Sequence, residues 1–337
     1  MTTRRHVAPL ALLVAGVSAV LALYTGLAGC SHRYSADGAD AGSLDGTGVA
    51  GELLAPRSGE GGGRFFYPLQ VGDHWDWRIH TVSQITTDAG PQPPDTTRRP
   101  WSAEIVGTSQ VGARTYYIQA EYDPRVVVAP PPTGFLLRED RMGLFEHDAS
   151  GNPDVTVEGE SGADPVAAGL AAYVDRTVAD AAQRPAFARA AALVAEKISI
   201  MQLGSGLHRR RQTGADPGEL TMLSYPLRPG VSWIVRDSPR FVRTVVGLDM
   251  IHVPLGTFPA WGLRGGSELF GPNDRVRFWY SRLGLLRIRF HAEADAVDNT
   301  GAVIGRVAFD SDQSLTGVRL ERPHALPALV AGPEQLR

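Results

Sequence analysis

Cysteine and lysine are almost missing from this chain. One cysteine, Cys30, occurs in 337 residues, so no disulfide can form within the chain. The roughly 300 residues that follow must therefore fold on a buried core, and they are long enough to build one. Lys197 is the only lysine, against 32 arginines. That skew reads as a GC-rich coding sequence rather than as recognition of an anion. The formal net charge of −3 gives no basic excess and argues against a nucleic-acid partner. Beyond residue 28, no apolar run approaches the length that spans a bilayer. Short catalytic signatures are also missing. There is no His-Glu-x-x-His, no Gly-x-Ser-x-Gly, no phosphate loop and no Gly-x-Gly-x-x-Gly turn. Gly265-Gly266-Ser267 does not have the spacing of a nucleophile elbow. These absences weaken the case for an enzyme without removing it, because many active sites have no short motif.

The N-terminus is rich where the rest is poor. Arg4 and Arg5 precede an apolar stretch, Val7 to Ala28, broken only by Pro9, Ser18, Thr25 and glycines. A positive start, an apolar middle and small residues at the end make a secretory signal. An uncleaved membrane-spanning anchor is the alternative, since about 20 apolar residues can cross a bilayer. Leu27-Ala28-Gly29-Cys30 resembles the lipobox of bacterial lipoprotein precursors. The resemblance implies cleavage between Gly29 and Cys30 and a diacylglyceryl thioether on Cys30, with a further acyl chain, palmitate or similar, on its amine. Two or more chains anchor a protein stably, at about 0.8 kcal/mol per buried CH₂. It also consumes the only thiol, which excludes a cysteine nucleophile. Ser31 follows, and in Gram-negative lipoproteins a residue other than aspartate there is compatible with outer-membrane delivery. The outer membrane is thus favoured over the cytoplasmic membrane. Arg4-Arg5 lacks the aromatic and lysine of a twin-arginine signal, so Sec export is the simpler reading. Residues 1–29 are read as the signal and 30–63 as a lipidated tether. The tether is rich in Gly, Ala, Ser and Asp, and as a coil it would reach about 30 Å.

The folded body contains an internal repeat. Tyr67-Pro68-Leu69, Gly72 and Trp75 recur with one offset as Tyr225-Pro226-Leu227, Gly230 and Trp233. Each copy reads as a Pro-Leu segment, a Gly turn and a strand that buries its Trp. Trp75, Trp77 and Ile79 alternate with His74, Asp76, Arg78 and His80, the period of a strand with one buried face. Ser102–Gln110 and Thr115–Tyr122 read as a hairpin. Val276, Phe278 and Tyr280, and Leu286, Ile288 and Phe290, alternate with charged residues in the same way. The segment between has helical spacing. Asp164 is a candidate N-cap with Pro165 at the first helical position, followed by Val166, Leu170, Tyr173, Val174 and Val178. Pro185 can open a second helix with the stripe Phe187, Ala190, Val194, Ile198 and Met201. The fold class expected is mainly β with a helical insert (α+β). Two related antiparallel β modules, 64–160 and 219–321, flank a helical hairpin within 161–218, and a tail covers 322–337. The hairpin either plugs a curved sheet or acts as a mobile lid.

Three phrases carry a second resemblance. They are Phe66-Tyr67-Pro68-Leu69 with Gly72 and Trp75; Val253-Pro254-Leu255-Gly256-Thr257-Phe258; and Trp279-Tyr280 with Gly284-Leu285. Together they resemble a group of uncharacterised β-rich envelope lipoproteins. The likeness covers 65–80 and 225–291 and not the helical middle. It implies a curved antiparallel half-barrel with a helical plug, similar to periplasmic lipoprotein carriers, and hence binding of lipid or another hydrophobic molecule. The phrases themselves shape turns and fill a core; they carry no reactive group.

Four clusters carry side chains suited to chemistry. His291, Glu293 and Asp295 share one strand face, as do His74, Asp76 and His80. Three such groups suit a metal, but alternating charges on a solvated face give the same pattern. Glu139, Asp140 and Arg141 read as a charged turn. His208-Arg209-Arg210-Arg211 is a basic run that suits anionic headgroups, though a solvated loop explains it as simply. No catalytic residue, metal or cofactor is assigned, and the ligand-binding residues are unknown. The expectation is a non-catalytic, lipid-anchored lipoprotein of the bacterial cell envelope. Its partners are the membrane, through Cys30, and either a hydrophobic ligand or another envelope protein. The alternatives are a lipid-anchored secreted hydrolase with dispersed catalytic residues, and a structural or assembly factor.

Overall fold

The computed structural model describes residues 67–126, 129–130, 134–147, 165–201 and 219–321. The lipobox with Gly29 and Cys30, the tether, Asp164, the basic run from His208 and the C-terminal tail lie outside the described residues. The chain is mainly antiparallel β with a helical insert. The first stretch holds β1 (His74–Thr87), β2 (Gly90–Pro91), β3 (Asp95–Val111), β4 (Arg114–Tyr122), β5 (Phe135–Asp140) and β6 (Gly143–His147). Two helices follow, α1 (Pro165–Thr177) and α2 (Arg184–Met201). The second stretch holds β7 (Glu219–Ser224), β8 (Ser232–Asp237), β9 (Arg240–Val253), β10 (Gly256–Ser267), β11 (Arg275–Ser281), β12 (Gly284–Val297) and β13 (Val303–Arg319).

The two stretches form one sheet. Neighbours follow chain order from β3 to β7 and again from β8 to β13, while β1 lies between β3 and β13. The β1–β13 ladder runs from His74 opposite Arg319 to Thr87 opposite Gly305. β1 therefore ties the first stretch to the last strand of the second. The sheet curls into a nearly closed barrel, whose edges are β7 and β8. Side chains bridge that seam. The Trp233 indole N–H donates to the Thr221 carbonyl at 2.9 Å, and the buried Arg243 Nη1 donates to the Met222 carbonyl at 2.7 Å.

The sequence repeat is a repeat of structure. Gly72 has φ +98° and Gly230 +84°, a backbone conformation that glycine adopts without a Cβ penalty. The Gly72 N–H donates to Ile105 and the Gly230 N–H to Val245, each across to a neighbouring strand. Ile105 and Val245 return the bond to Asp73 and Val231. The following tryptophan is fully buried in the first copy. Trp75 crosses the interior, and its indole N–H donates to the Leu283 carbonyl in the β11–β12 turn at 2.6 Å. A Cβ on Gly284 would lie 3.0 Å from that indole nitrogen, and Gly284 also has φ +95°. Two of the three sequence phrases thus meet at this contact.

The helices interrupt a strand pair without breaking it, for β6 and β7 still pair directly. Pro165 opens α1, where its missing N–H costs nothing. Leu170, Tyr173, Val174 and Val178 are buried, as are Phe187, Ala190, Val194, Ile198 and Met201 on α2. α2 packs on the core face of β12 and β13. Small residues on that face, Ala292, Ala294 and Ala296, let the helix approach. Gly305 makes room in the same way. A Cβ there would sit 2.3 Å from the Thr86 carbonyl oxygen and 2.5 Å from the Phe187 ring. Among the described residues no helix is long and apolar enough to cross a membrane.

The only lysine holds α2 in place. Lys197 Nζ lies 2.6 Å from Asp274 Oδ2 and donates to the Glu293 carbonyl at 2.6 Å. Both side chains are shielded, with 7% and 0% exposure. Asp274 also accepts from the backbone N–H groups of Gly271 and Glu293, at 2.6 and 2.8 Å. The carboxylate thus has donors on both oxygens. Removing one partner of a buried pair leaves an uncompensated charge, which typically costs about 3–5 kcal/mol. Lys197→Met is expected to lower the free energy of urea unfolding by that amount, and a Lys197→Met, Asp274→Asn double variant should recover much of it. A single variant within about 1 kcal/mol of wild type would mean that the pair does not secure the helix.

Candidate functional site

A narrow cavity opens between the core face of β4–β7 and the facing strands. Its walls are mostly apolar: Trp77 from β1, Phe135 and Leu137 from β5, Leu144 from β6, Met222 from β7 and Leu285 from β12. Tyr67 and Tyr280 contribute aromatic rings, and Gln119 and Glu146 supply the polar surface. The cavity is small: about 20 Å³ is open to the centres of water-sized molecules, room for about one water. Strand alternation puts Gln119 and Glu121 on one face of β4, opposite Phe135 and Ala103 in the neighbouring ladders. Glu146 stands opposite Leu137. These polar side chains therefore share the core face with leucine and phenylalanine.

Each polar group is handled differently. Glu146 is 2% exposed and has partners within the protein. Glu121 accepts from Gln119 Nε2 at 2.8 Å and from the Trp101 indole N–H at 3.1 Å. Burial pushes its carboxyl up to about 8, against those two donors and with help from the nearby Glu146. The acid is therefore mainly protonated at neutral pH. Gln119 spends its N–H₂ on Glu121, and its buried Oε1 has no hydrogen-bond partner. Arg243 is enclosed beside the cavity, 4.1 Å above the Phe278 ring and 3.4 Å from the Tyr280 hydroxyl. Burial raises the Tyr280 hydroxyl, while Arg243 pulls it down.

Glu139 was expected in a charged turn and lies elsewhere. Its Oε1 accepts from the Tyr67 backbone N–H and from the Tyr225 hydroxyl, both at 2.6 Å. The starts of the two repeats thus converge on one carboxyl group, which burial pushes up to about 7. Asp140 does serve the turn, accepting from the Met142 N–H at 2.6 Å and pairing with Arg138. The difference is alternation: on β5, Leu137 and Glu139 face the core and Arg138 and Asp140 do not.

The two histidine–carboxylate clusters lie on the opposite face of the sheet. His291 is 2.9 Å from Asp310 and 3.5 Å from Glu293. Arg306 contacts Glu293 at 3.0 Å and Asp295 at 2.9 Å, and Arg287 pairs with Asp312. This is a ladder of cross-strand ion pairs. His74 sits 3.1 Å from both Asp76 and Glu104, and its bond to Asp76 raises its basicity. His80 is in register with Arg98 and Asp312 rather than beside His74. Among the described residues no group of three His, Cys, Asp or Glu is placed to hold a metal ion. Reading the sequence missed Gln119, Glu121 and Glu146. The available signal was apolar residues on both faces of one strand: Tyr116, Ala120 and Tyr122 are buried on the far side of β4.

No protein-family model matches this chain, and no curated protein matches it. Solved structures give faint likenesses. One is an exported protein of Bacteroides fragilis with a YmcC-like fold, at 11% identity and a TM-score of 0.29, covering 76% of this chain and 99% of that one. Another is a structure of lipid–protein interactions in lipovitellin, at 6% identity and a TM-score of 0.27, covering 76% of this chain. The chain spans 26% of that structure's length. Likenesses this weak carry no argument about function.

The carboxyl groups set a pH profile. Glu121 and Glu139 keep their protons to higher pH in the folded protein than in the unfolded chain, where the ordinary value is 4.5. Their stabilising share is complete below about pH 4.5 and is lost as pH rises through about 7 and 8. Glu219 behaves oppositely. Burial works against its ionisation, but Arg138 (Nε at 2.8 Å), Tyr116 and Arg114 hold it down to about 2. Its share is complete above about pH 4.5 and is lost as pH falls towards 2. Melting temperatures measured from pH 3 to pH 9 should therefore fall on both sides. Glu121→Gln should flatten the alkaline limb and Glu219→Gln the acid limb; unchanged limbs would refute the two assignments.

Proposed function

We propose that this chain is a lipoprotein of the bacterial cell envelope that is anchored through acyl chains on Cys30 and binds a small hydrophobic ligand without chemical change. The cavity carries the reading. Its walls are largely aromatic and aliphatic with few polar groups, so an apolar molecule that parts them would be held by burial. The polar groups beside it are spent on the protein. Glu121 receives two donors and is mainly a neutral acid, Glu139 receives two more, and Glu146 has partners of its own. A hydrolase with dispersed residues would need a nucleophile and a base in mutual reach at the cavity. The lining residues include no serine, threonine, cysteine, histidine or lysine, and the one carboxyl group among them, Glu146, is engaged within the protein.

The anchor follows from the N-terminal sequence, with Cys30 behind a signal and Leu27-Ala28-Gly29. The outer membrane is the destination that Ser31 favours. Cys30→Ser should abolish metabolic labelling with radioactive palmitate; labelling at the wild-type level would remove the anchor from the proposal. Native mass spectrometry of the mature protein should show an added apolar molecule of defined mass. A bare mass under gentle desolvation, together with no uptake of added alkyl compounds, would remove the ligand.

A further inference from the structure

Large apolar side chains are exposed along one rim of the barrel. Past Val245, β9 runs beyond β8 and keeps β10 as its only ladder partner among the described residues. On one face of this hairpin Ile251 and Ala260 are buried. Leu248 and Met250 are on the other face, opposite Trp261 and Pro259 in register, and are 47% and 60% exposed. The rim continues through backbone hydrogen bonds. The Val245 N–H donates to the Val231 carbonyl at 2.9 Å, and the Tyr225 N–H to the Met142 carbonyl at 2.8 Å. Met142, Val231 and Val246 are exposed as well. Apolar side chains gathered in this way mark a contact surface, whereas single exposed ones do not.

Two observations bear on what the rim touches. Tyr225 begins the segment that leads to Val231, and its hydroxyl shares Glu139 with the Tyr67 backbone N–H. Tyr67 is where the chain from Cys30 joins the described body, so that chain arrives at the rim. Arg141 is exposed beside Met142, and Arg228 is exposed between Tyr225 and Val231. Of the acids nearby, Asp140 is paired with Arg138, and Asp249 sits between Leu248 and Met250. Apolar side chains flanked by arginines suit a bilayer with anionic phosphate groups. Water persists at the depth of the headgroups, so the open edge of β9 keeps hydrogen-bond partners there.

We propose that this rim is a membrane-contact surface. Met142, Val231, Leu248 and Met250 settle into the boundary between headgroups and acyl chains, and Arg141 and Arg228 meet the lipid phosphates. The inference rests on the lipid-anchor reading and adds which end of the barrel meets the bilayer. The β12–β13 turn, at the far end of β13 from Arg319, faces away.

A test that imposes the tether chemically does not depend on acylation in the cell. The chain from Cys30 to Arg337 has one thiol, Cys30. That thiol is coupled to a maleimide lipid in vesicles of phosphatidylethanolamine with phosphatidylglycerol, or to a soluble maleimide polyethylene glycol. Amide hydrogen exchange of the two conjugates is then compared by mass spectrometry. The vesicles should slow exchange across 246–252 at least about fivefold and leave 298–302 unchanged. Leu248→Ser with Met250→Ser should return 246–252 to the rate of the soluble conjugate. Phosphatidylcholine vesicles, which carry no net charge, should protect about threefold less. Equal exchange at 246–252 in the two wild-type conjugates would overturn the contact, and equal slowing at 298–302 would overturn its orientation. Equal protection on phosphatidylcholine would remove the arginines from it. Slowing in the soluble conjugate that grows with concentration would give the rim to a second copy of this chain. Each of these outcomes leaves the anchor reading standing, which palmitate labelling of Cys30 tests separately. The wild-type comparison stands by itself should the double variant not fold.

Discussion

Strand β1 hydrogen-bonds to β3 on one side and to β13 on the other, and the rest of the structure depends on that double pairing. It brings the first strand against the last. A meander that would otherwise end in two distant edges instead curls until only β7 and β8 remain as edges. Curling creates an interior, and an interior of this size cannot stay empty. The helical insert fills part of it: α2 lies on the alanines of β12 and over Gly305 of β13. A helix carries no ladder hydrogen bond to a sheet, so its position must be set by side chains. Phe187 locates one end and the Lys197–Asp274 pair the other.

The remainder is filled by aromatic rings from the repeated segments. Tyr67 packs on Trp75 at 5.8 Å between ring centroids, and Trp75 stacks on Trp77 at 6.5 Å. Tyr225, the counterpart of Tyr67, reaches Glu139 from the other side. The segment before β1 and the segment before β8 are thus joined by one carboxyl group. What is left unfilled is the slot beside β4–β7. The carboxyl groups beside it are tolerated because donors satisfy them and burial raises the proton affinity of Glu121 and Glu139. Inside an apolar enclosure a neutral acid is far less costly than a carboxylate.

Much of this was legible in the chain. The Tyr-Pro-Leu, Gly, Trp repeat marked two strand starts because the left-handed glycine and the buried ring leave a signature in residue type. The stripes at Leu170, Tyr173 and Val174 and at Phe187, Ala190 and Val194 marked the helices because a helix with one buried side repeats every three to four residues. The site was less legible. Gln119 and Glu121 alternate with Tyr116, Ala120 and Tyr122, and alternation alone assigns the polar set to solvent. In the barrel both faces of β4 are covered, and the polar set is on the inner one. Glu139 was misread for the same reason: adjacent Asp140 and Arg141 made a charged turn the simpler account, yet on a strand adjacent residues point to opposite faces.

The sequence by itself determined the elements, their order and the absence of an intrachain disulfide, since these follow from local composition and periodicity. It determined that Lys197 is the only lysine but not its task. Tertiary structure alone decided that two β stretches share one sheet, that this lysine is buried against Asp274, and that Gln119, Glu121 and Glu146 face inward. Each of these depends on contacts between residues far apart in the chain. Local pattern shows that a strand has two faces; only closure of the sheet decides which one is inside.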